Sequence, residues 1–278
     1  MDVPRNLVSD SLLIKETFDL ACANGGRVAV NQIADRVFRL SHAEESLSAL
    51  LVSDLLSDDP RFQVSDGHVE LIHDNAELRL LAETDFVVVD VEAMAIAPHP
   101  PRIIDLAAYR VRSGAIRDEF QTLINPEIPL STFISALTGI TNEMLIKAPA
   151  FAEVAREWLA FAGDAVLVAH NSTFDLALLN REIGRVFPGY RMRNPDLCTV
   201  NLARRVIPTL DGHNLDSLAD HFAISISQRH RAAGDARATA EILLHLLALL
   251  EEHGVNTLAE ARNFPVPGDR RERIGRQS

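Results

Sequence analysis

Seven residues, Phe86-Val87-Val88-Val89-Asp90-Val91-Glu92, constrain this chain more than any other stretch. A run of β-branched and aromatic residues bounded by the polar Thr84-Asp85 predicts a strand buried on both faces. Residues i and i+2 of a strand project to the same side, so Asp90 and Glu92 point to one spot at the end of a core strand. Two carboxylates that close repel each other unless a positive charge lies between them. A divalent cation bound through oxygen is the simplest such charge. The alternative is that Asp90 starts a turn and Glu92 is merely solvated, and this stretch alone does not decide between the two.

With 278 residues the chain has room for one large domain or two unequal ones. Hydrophobic residues make up 47% and charged residues 24%, so a sizeable core is expected and wholesale disorder is not. Met1-Asp2-Val3-Pro4-Arg5 lacks the basic-then-apolar layout of a signal peptide. The most apolar segment, Ile242 to Leu250, is interrupted by His245 and is too short to span a bilayer. Cys22 and Cys198 suggest no disulfide framework. A soluble cytoplasmic protein with no membrane partner is therefore expected. The net charge of −12 argues against an extended basic nucleic-acid-binding surface. It leaves open an enzyme acting on nucleic acid, because metal ions supply positive charge where it is needed.

In the first part of the chain, Leu12, Leu13, Phe18, Leu20 and Ala21 follow roughly helical spacing, predicting a helix over 7–22 that Gly25-Gly26 ends. Asn31 is placed to cap a second helix running to about Leu40. Ser41 with Glu44 makes a capping-box pattern for a third helix that buries Leu47, Leu50, Leu51 and Leu55. Residues 61–71 alternate in polarity on either side of Asp66-Gly67, a hairpin signal. Three short helices followed by a hairpin resemble a winged helix-turn-helix domain. Residues 1–80 hold 7 Lys/Arg against 14 Asp/Glu. Phosphate binding by counterion release needs clustered cations, so contact with a protein partner is expected of this acidic domain rather than direct DNA binding.

Beyond a charged connector, Arg102 to Val111 reads as a second strand, Ser113-Gly114 as a turn, and Asp118 to Ile124 as a third strand pairing back antiparallel. Short helices over 134–140 and 141–146 hinge at Gly139, and 151–161 is amphipathic. Ala165 to Ala169 is a short strand running into His170-Asn171-Ser172-Thr173-Phe174-Asp175 and a helix. Open α/β sheets place their sites where such a strand feeds a helix. A last short strand at Leu197-Cys198 precedes helices over 200–206, 215–222 and 235–252. The organisation expected is a first domain over 1–75, a linker over 76–84, a second domain over 85–253 and a largely disordered tail over 254–278. That tail carries Arg270, Arg271, Arg273 and Arg276.

Groups able to bind metal or move protons thus occur at Asp90 with Glu92, at Asp175, at His230 and at Asp235. On one continuous helix, residues five apart lie about 140° apart and cannot meet at one site. Gly234 therefore places His230 on a loop and Asp235 at the start of the helix. His170 and Asn171 are expected to fix their loop rather than perform chemistry.

Val89-Asp90-Val91-Glu92, Ala169-His170-Asn171-Ser172-Thr173-Phe174-Asp175 and His230-x4-Asp235 resemble, in order and spacing, the three motifs of the DEDDh family of 3′–5′ exonucleases. That group contains the proofreading exonuclease of bacterial replicative polymerases. Leu137-Thr138-Gly139-Ile140-Thr141 is similar to the family's segment near the substrate end, and the resemblance runs from about Phe86 to Leu250. It implies an α/β fold: a ribonuclease H-like mixed sheet flanked by helices, here preceded by the small α+β winged-helix-like domain. It implies that Asp90, Glu92 and Asp235 hold one ion, that Asp90 bridges to a second ion organised by Asp175, and that His230 is the general base. The two ions implied are Mg²⁺ or Mn²⁺, which suit oxygen ligands. The substrate implied is a single-stranded or frayed 3′ end of DNA, with RNA as an alternative. A further alternative is a weakly active or inactive nuclease fold serving as a binding scaffold. The family usually follows the Glu with Thr-Thr-Gly; Ala93-Met94-Ala95 stands here, which leaves the metal ligands untouched and bears on how the terminal nucleotide is positioned.

Overall fold

The computed structural model describes residues 3–72, 75–95 and 100–265. These fall into two compact units, one drawn from Met1–Asn75 with Ile183–Arg193, the other from Ala76–Glu182 with Asn194–Ser278.

The first unit runs β1 (Leu7–Ser9), α1 (Leu12–Ala23), β2 (Arg27–Ala29), α2 (Val30–Arg36), α3 (Glu45–Leu56), β3 (Phe62–Ser65) and β4 (His68–Leu71). Asp66-Gly67 turns the hairpin with both residues at positive φ, 49° and 69°, as a tight two-residue turn requires. β2 pairs with β4, so the three strands stand in the order β2-β4-β3. Several local expectations are corrected. Leu7 to Ser9 is a strand rather than the start of a helix, because it pairs antiparallel with Tyr190–Met192. Asn31 lies inside α2, whose N-cap position is Ala29. Ser41 Oγ bonds Asp35 Oδ1 at 2.9 Å instead of capping α3. The buried stripe of α3 is Ser48, Val52 and Leu56, while Leu47 and Leu50 are exposed. Composition favours the leucine-rich side, and packing against Ile33 and Val69 selects the neighbouring stripe.

The second unit is built on β5 (Phe86–Met94), β6 (Arg102–Arg112) and β7 (Ala115–Leu123), then α4 (Thr132–Thr138), α5 (Asn142–Ile146), α6 (Phe151–Ala162), β8 (Val166–Ala169) and α7 (Ser172–Val186). After Tyr190–Met192 (β9, of the first unit) come β10 (Asp196–Cys198), α8 (Thr199–Val206), α9 (Leu215–His221), α10 (Ala232–Glu252) and α11 (Leu258–Asn263). Its sheet has the order β10-β8-β5-β6-β7. β10, β8 and β5 are parallel, and β6 runs antiparallel between β5 and β7. This is the expected mixed sheet flanked by helices.

Strand periodicity decides what each face carries. Phe86 and Val88 of β5 and Ala107, Tyr109 and Val111 of β6 share one core cluster with Ala232, Ala236, Leu243, Leu246 and Leu250 of α10. The first half of α10 is Ala- and Gly-rich, which lets the helix lie close to the sheet. Its second half is leucine-rich, and each fully buried leucine there contributes about 1.5–3 kcal/mol. Since Asp90 and Glu92 continue the Phe86–Val88 alternation, they emerge on the face that α10 covers. On the alternate face, Trp158 of α6 meets Phe120 of β7 with ring centroids 5.8 Å apart.

Residues expected to be a linker and a free tail are partly built into this unit. Leu81 is buried, and Leu80 bridges to Thr257. Thr257 caps α11, which buries Leu258 and Ala261. The remainder of the tail, including its four arginines, lies outside the described residues.

Candidate functional site

Each segment singled out in the sequence reaches the same end of β5. Asp90 and Glu92 leave the strand half-buried at its carboxyl end, just before the register shift between Glu92 and Ala93. Asp175 lies in the first turn of α7, reached from β8 through Asn171, whose φ of 79° is left-handed. Its Oδ1 accepts the Val91 backbone N–H at 3.2 Å, which ties α7 to β5 between the two strand acids. Asp235, in the first turn of α10, is 3% exposed. Its Oδ2 accepts the His230 N–H at 3.3 Å and a guanidinium N–H from Arg229. Arg229 also donates to Asp216 Oδ1 at 2.9 Å.

Ligand atoms of Glu92, His230 and Asp235 all lie within 4.8 Å of one another, a spacing that could hold a metal ion. Asp90 and Asp175 fall outside that trio but share its electrostatics. Burial, then the charges of Asp175, Asp235 and Glu92, push the Asp90 carboxyl well above the usual carboxylate range. Burial, then Asp235 and Asp105, push Glu92 up to about 7. Asp175 is pushed up to about 7, chiefly by burial, with Glu92 adding to it against the Val91 hydrogen bond. Burial also raises Asp235, with the Arg229 charge opposing it. Such a cluster ionises reluctantly without a cation, and the oxygen-rich donor set suits hard divalent ions. Asp235 Oδ1 and Asp105 Oδ1 are both buried with no hydrogen-bond partner, and only Asp235 belongs to the trio whose ligand atoms lie close enough to share an ion.

His230 sits as expected on a loop, with a left-handed φ of 62°. Gly234 has a different cause from the one the sequence suggested. It lies inside α10, which starts at Ala232, and a Cβ there would stand 1.9 Å from the Ser227 carbonyl oxygen and 2.7 Å from that of Gln228. The glycine makes room for the His230 loop to cross the helix. His170 bonds Thr199 Oγ1 through Nδ1 at 3.0 Å. Burial first, then the Arg229 charge, lowers its pKa to about 4, so it is neutral at pH 7. Met94 is buried against Ile104, Leu130, Ile140 and Leu145, so Ala93-Met94 extends the strand and packs α4 and α5 beside the acids. No left-handed φ occurs at Ala93, Met94 or Ala95, and the missing glycine is not needed by the backbone.

Asp105 was not anticipated. It faces Glu92 across the β5–β6 pair, is 0% exposed, and accepts Arg231 Nε at 2.8 Å through Oδ2. The available signal was a charged residue inside the apolar run Ile103-Ile104-Asp105-Leu106-Ala107, where an unpartnered carboxylate would be costly.

Residues 87–243 match the family model described as Exonuclease. The chain is 40% identical over 167 residues to the DNA polymerase III subunit epsilon of Aquifex aeolicus, covering 60% of this chain and 82% of that protein. It is 40% identical over 181 residues to the PolC-type DNA polymerase III of Bacillus subtilis, covering 65% of this chain and 13% of that protein. The match to the corresponding Caldanaerobacter subterraneus protein is 37% over 199 residues, covering 72% of this chain and 14% of that one. The chain therefore spans about a seventh of the length of the PolC-type relatives. Among solved structures, E. coli Exonuclease I in complex with a dT13 oligonucleotide shares the fold. Its TM-score is 0.52 at 18% identity, over 62% of this chain and 43% of that one.

Proposed function

This chain belongs to the exonuclease family, and on that premise we propose that it removes nucleotides from the 3′ end of DNA by a two-metal-ion mechanism. The observation carrying the proposal is the convergence of four carboxylates and an imidazole, from three separate segments, beside one core strand. Asp90, Glu92 and Asp235 would hold one divalent ion, Mg²⁺ or Mn²⁺, and Asp90 would bridge to a second that Asp175 organises. Bound there, the ions supply Lewis-acid stabilisation of the charge that develops on the scissile phosphate and the leaving 3′ oxygen.

The protein's own groups do the remainder. Val91 N–H fixes the Asp175 carboxylate, and the start of α10 fixes that of Asp235. His230, half-exposed at the edge of the cluster, takes the proton from the attacking water.

The epsilon and PolC-type relatives are DNA polymerase III proteins, which favours DNA as substrate. Exposed apolar side chains, Phe174 beside Asp175 and Phe133 and Leu137 on α4, offer surfaces on which unpaired bases can stack. With a net charge of −12 and no extended basic surface expected, binding is concentrated at the strand end. The three helices and hairpin of the first unit support reading it as winged-helix-like, and its acidity favours a protein partner over DNA.

The test is a 5′-labelled DNA strand, and an RNA strand of matched sequence, incubated with Mg²⁺ or Mn²⁺. A DNA ladder shortening from the 3′ end, lost in Asp90→Ala, is the expected result. Intact strands under both metals would leave the scaffold reading standing, and a ladder on RNA alone would reassign the substrate.

A further inference from the structure

Two arginines flank His230, and each is bound to a carboxylate. Arg229 is held by Asp216 and Asp235. Arg231 is held by Asp105, which is 126 positions earlier in the chain and lies on the central sheet. Asp105 Oδ2 also accepts the N–H of Ala232, the first residue of α10, at 3.3 Å. A carboxylate with 0% exposure is costly to bury, and its geometry here explains why it stands in an otherwise apolar strand. It joins the sheet to the one segment whose backbone carries His230 in a left-handed conformation. Asp105 is not among the residues whose ligand atoms gather around Glu92, His230 and Asp235.

We propose that Asp105 is a positioning residue: acting through Arg231 and the Ala232 N–H, it fixes the loop that presents His230 to the carboxylate cluster, without itself touching cation or substrate. The proposal deepens the reading of His230 as general base and rests on it for its kinetic consequence. Its structural consequence, an ordered loop, stands independently of that reading.

The experiment compares wild type with Asp105→Asn and with the double variant Asp105→Asn/Arg231→Met, which removes both charges and leaves no unpartnered ion in the core. Three quantities are read: kcat and KM on a single-stranded DNA, Mn²⁺ affinity by calorimetry, and amide hydrogen exchange of a peptide covering 227–231. We expect kcat to fall about ten- to a hundredfold, the scale of a misplaced catalytic group, with KM and the Mn²⁺ Kd within about twofold of wild type. Exchange in 227–231 should accelerate in both variants. The double variant should be no slower than Asp105→Asn, since the two residues act as one clamp. Unchanged exchange in the folded double variant overturns the proposal, whatever the activity. A loss of Mn²⁺ affinity as large as that of Glu92→Gln overturns it too, by making Asp105 a ligand. If wild type degrades no nucleic acid while exchange responds as expected, the clamp stands and the nuclease reading fails.

Discussion

The guanidinium of Arg229 joins Asp235, 3% exposed in the carboxylate cluster, to the exposed Asp216 on α9. A positive charge thus already sits on a carboxylate that would bind a cation, and any incoming ion competes with it. Asp216 offers the guanidinium a place to stay when Asp235 is taken. Replacing the arginine removes the competitor, so Arg229→Gln is expected to bind Mn²⁺ about three- to tenfold more tightly, or up to about 1.4 kcal/mol. The metal-free variant should also melt at a lower temperature than metal-free wild type, because Asp235 has lost its counter-charge. Isothermal titration calorimetry measures the first effect, and a Kd that stays the same or rises contradicts it.

Proton release gives a second prediction. Metal ligands must be deprotonated to bind, and Glu92 and Asp175 are each pushed up to about 7. Near pH 6 both carry protons for most of the time, so Mn²⁺ binding has to expel them. Near pH 8.5 they are already ionised. Calorimetry in two buffers of different ionisation enthalpy should therefore show about one to two more protons released at the lower pH than at the higher, those of Glu92 and Asp175. Affinity should weaken as the pH falls below 7. Equal proton release at both pH values would show that these carboxylates are not the ligands.

How much of this was legible from residue order depends on whether the cause of a feature is local. The strand carrying Asp90 and Glu92 could be read because its period of two and its apolar run are local properties. Asp175 could be read because an apolar strand feeds directly into its helix. The inward stripe of α3 could not, since Leu47, Leu50 and Val52 are interchangeable by composition and only the partner helix selects among them. Leu7 to Ser9 was misread for the same reason, as its strand partner lies some 180 positions further on. Asp105 is not legible because its partner, Arg231, is 126 positions away. Gly234 suggests a helix that starts at Asp235, whereas it lies inside α10 and allows the close crossing of a loop over the helix.

That crossing yields a third prediction. A methyl group at position 234 would meet two backbone carbonyls, neither of which can turn aside as a flexible side chain could. In Gly234→Ala the loop must lift away from α10, carrying His230 with it. Alanine's better helix propensity, worth about 1 kcal/mol, works against an overpacking cost of about 1–3 kcal/mol, so the net loss of stability should be small. Activity should fall much further, by about a hundredfold in kcat if His230 moves by about 1 Å. A variant with wild-type kcat would show that the loop can be displaced without consequence for the reaction.

The mutual repulsion of the carboxylates also sets the pH dependence of stability. Asp90, Glu92 and Asp175 bind protons more tightly in the folded chain than in the unfolded one, where carboxyls titrate at about 4. Between that value and about 7, the folded state holds more protons than the unfolded state. Stability contributed by these groups must therefore decline as the pH rises through that window, and level off above it for Glu92 and Asp175. Asp90→Asn removes one charge from the cluster and relieves the other three. In the presence of a chelator the variant should melt close to wild type near pH 5, where Glu92 and Asp175, each pushed up to about 7, are mostly protonated and leave little repulsion to relieve. It should melt several degrees higher near pH 8, although its nuclease activity is lost. Divalent cations should raise the wild-type melting temperature near pH 8 and do little for the variant, which lacks a ligand. Scanning calorimetry across this range decides the matter: a variant no more stable than wild type near pH 8 would mean that the four acids do not share one field.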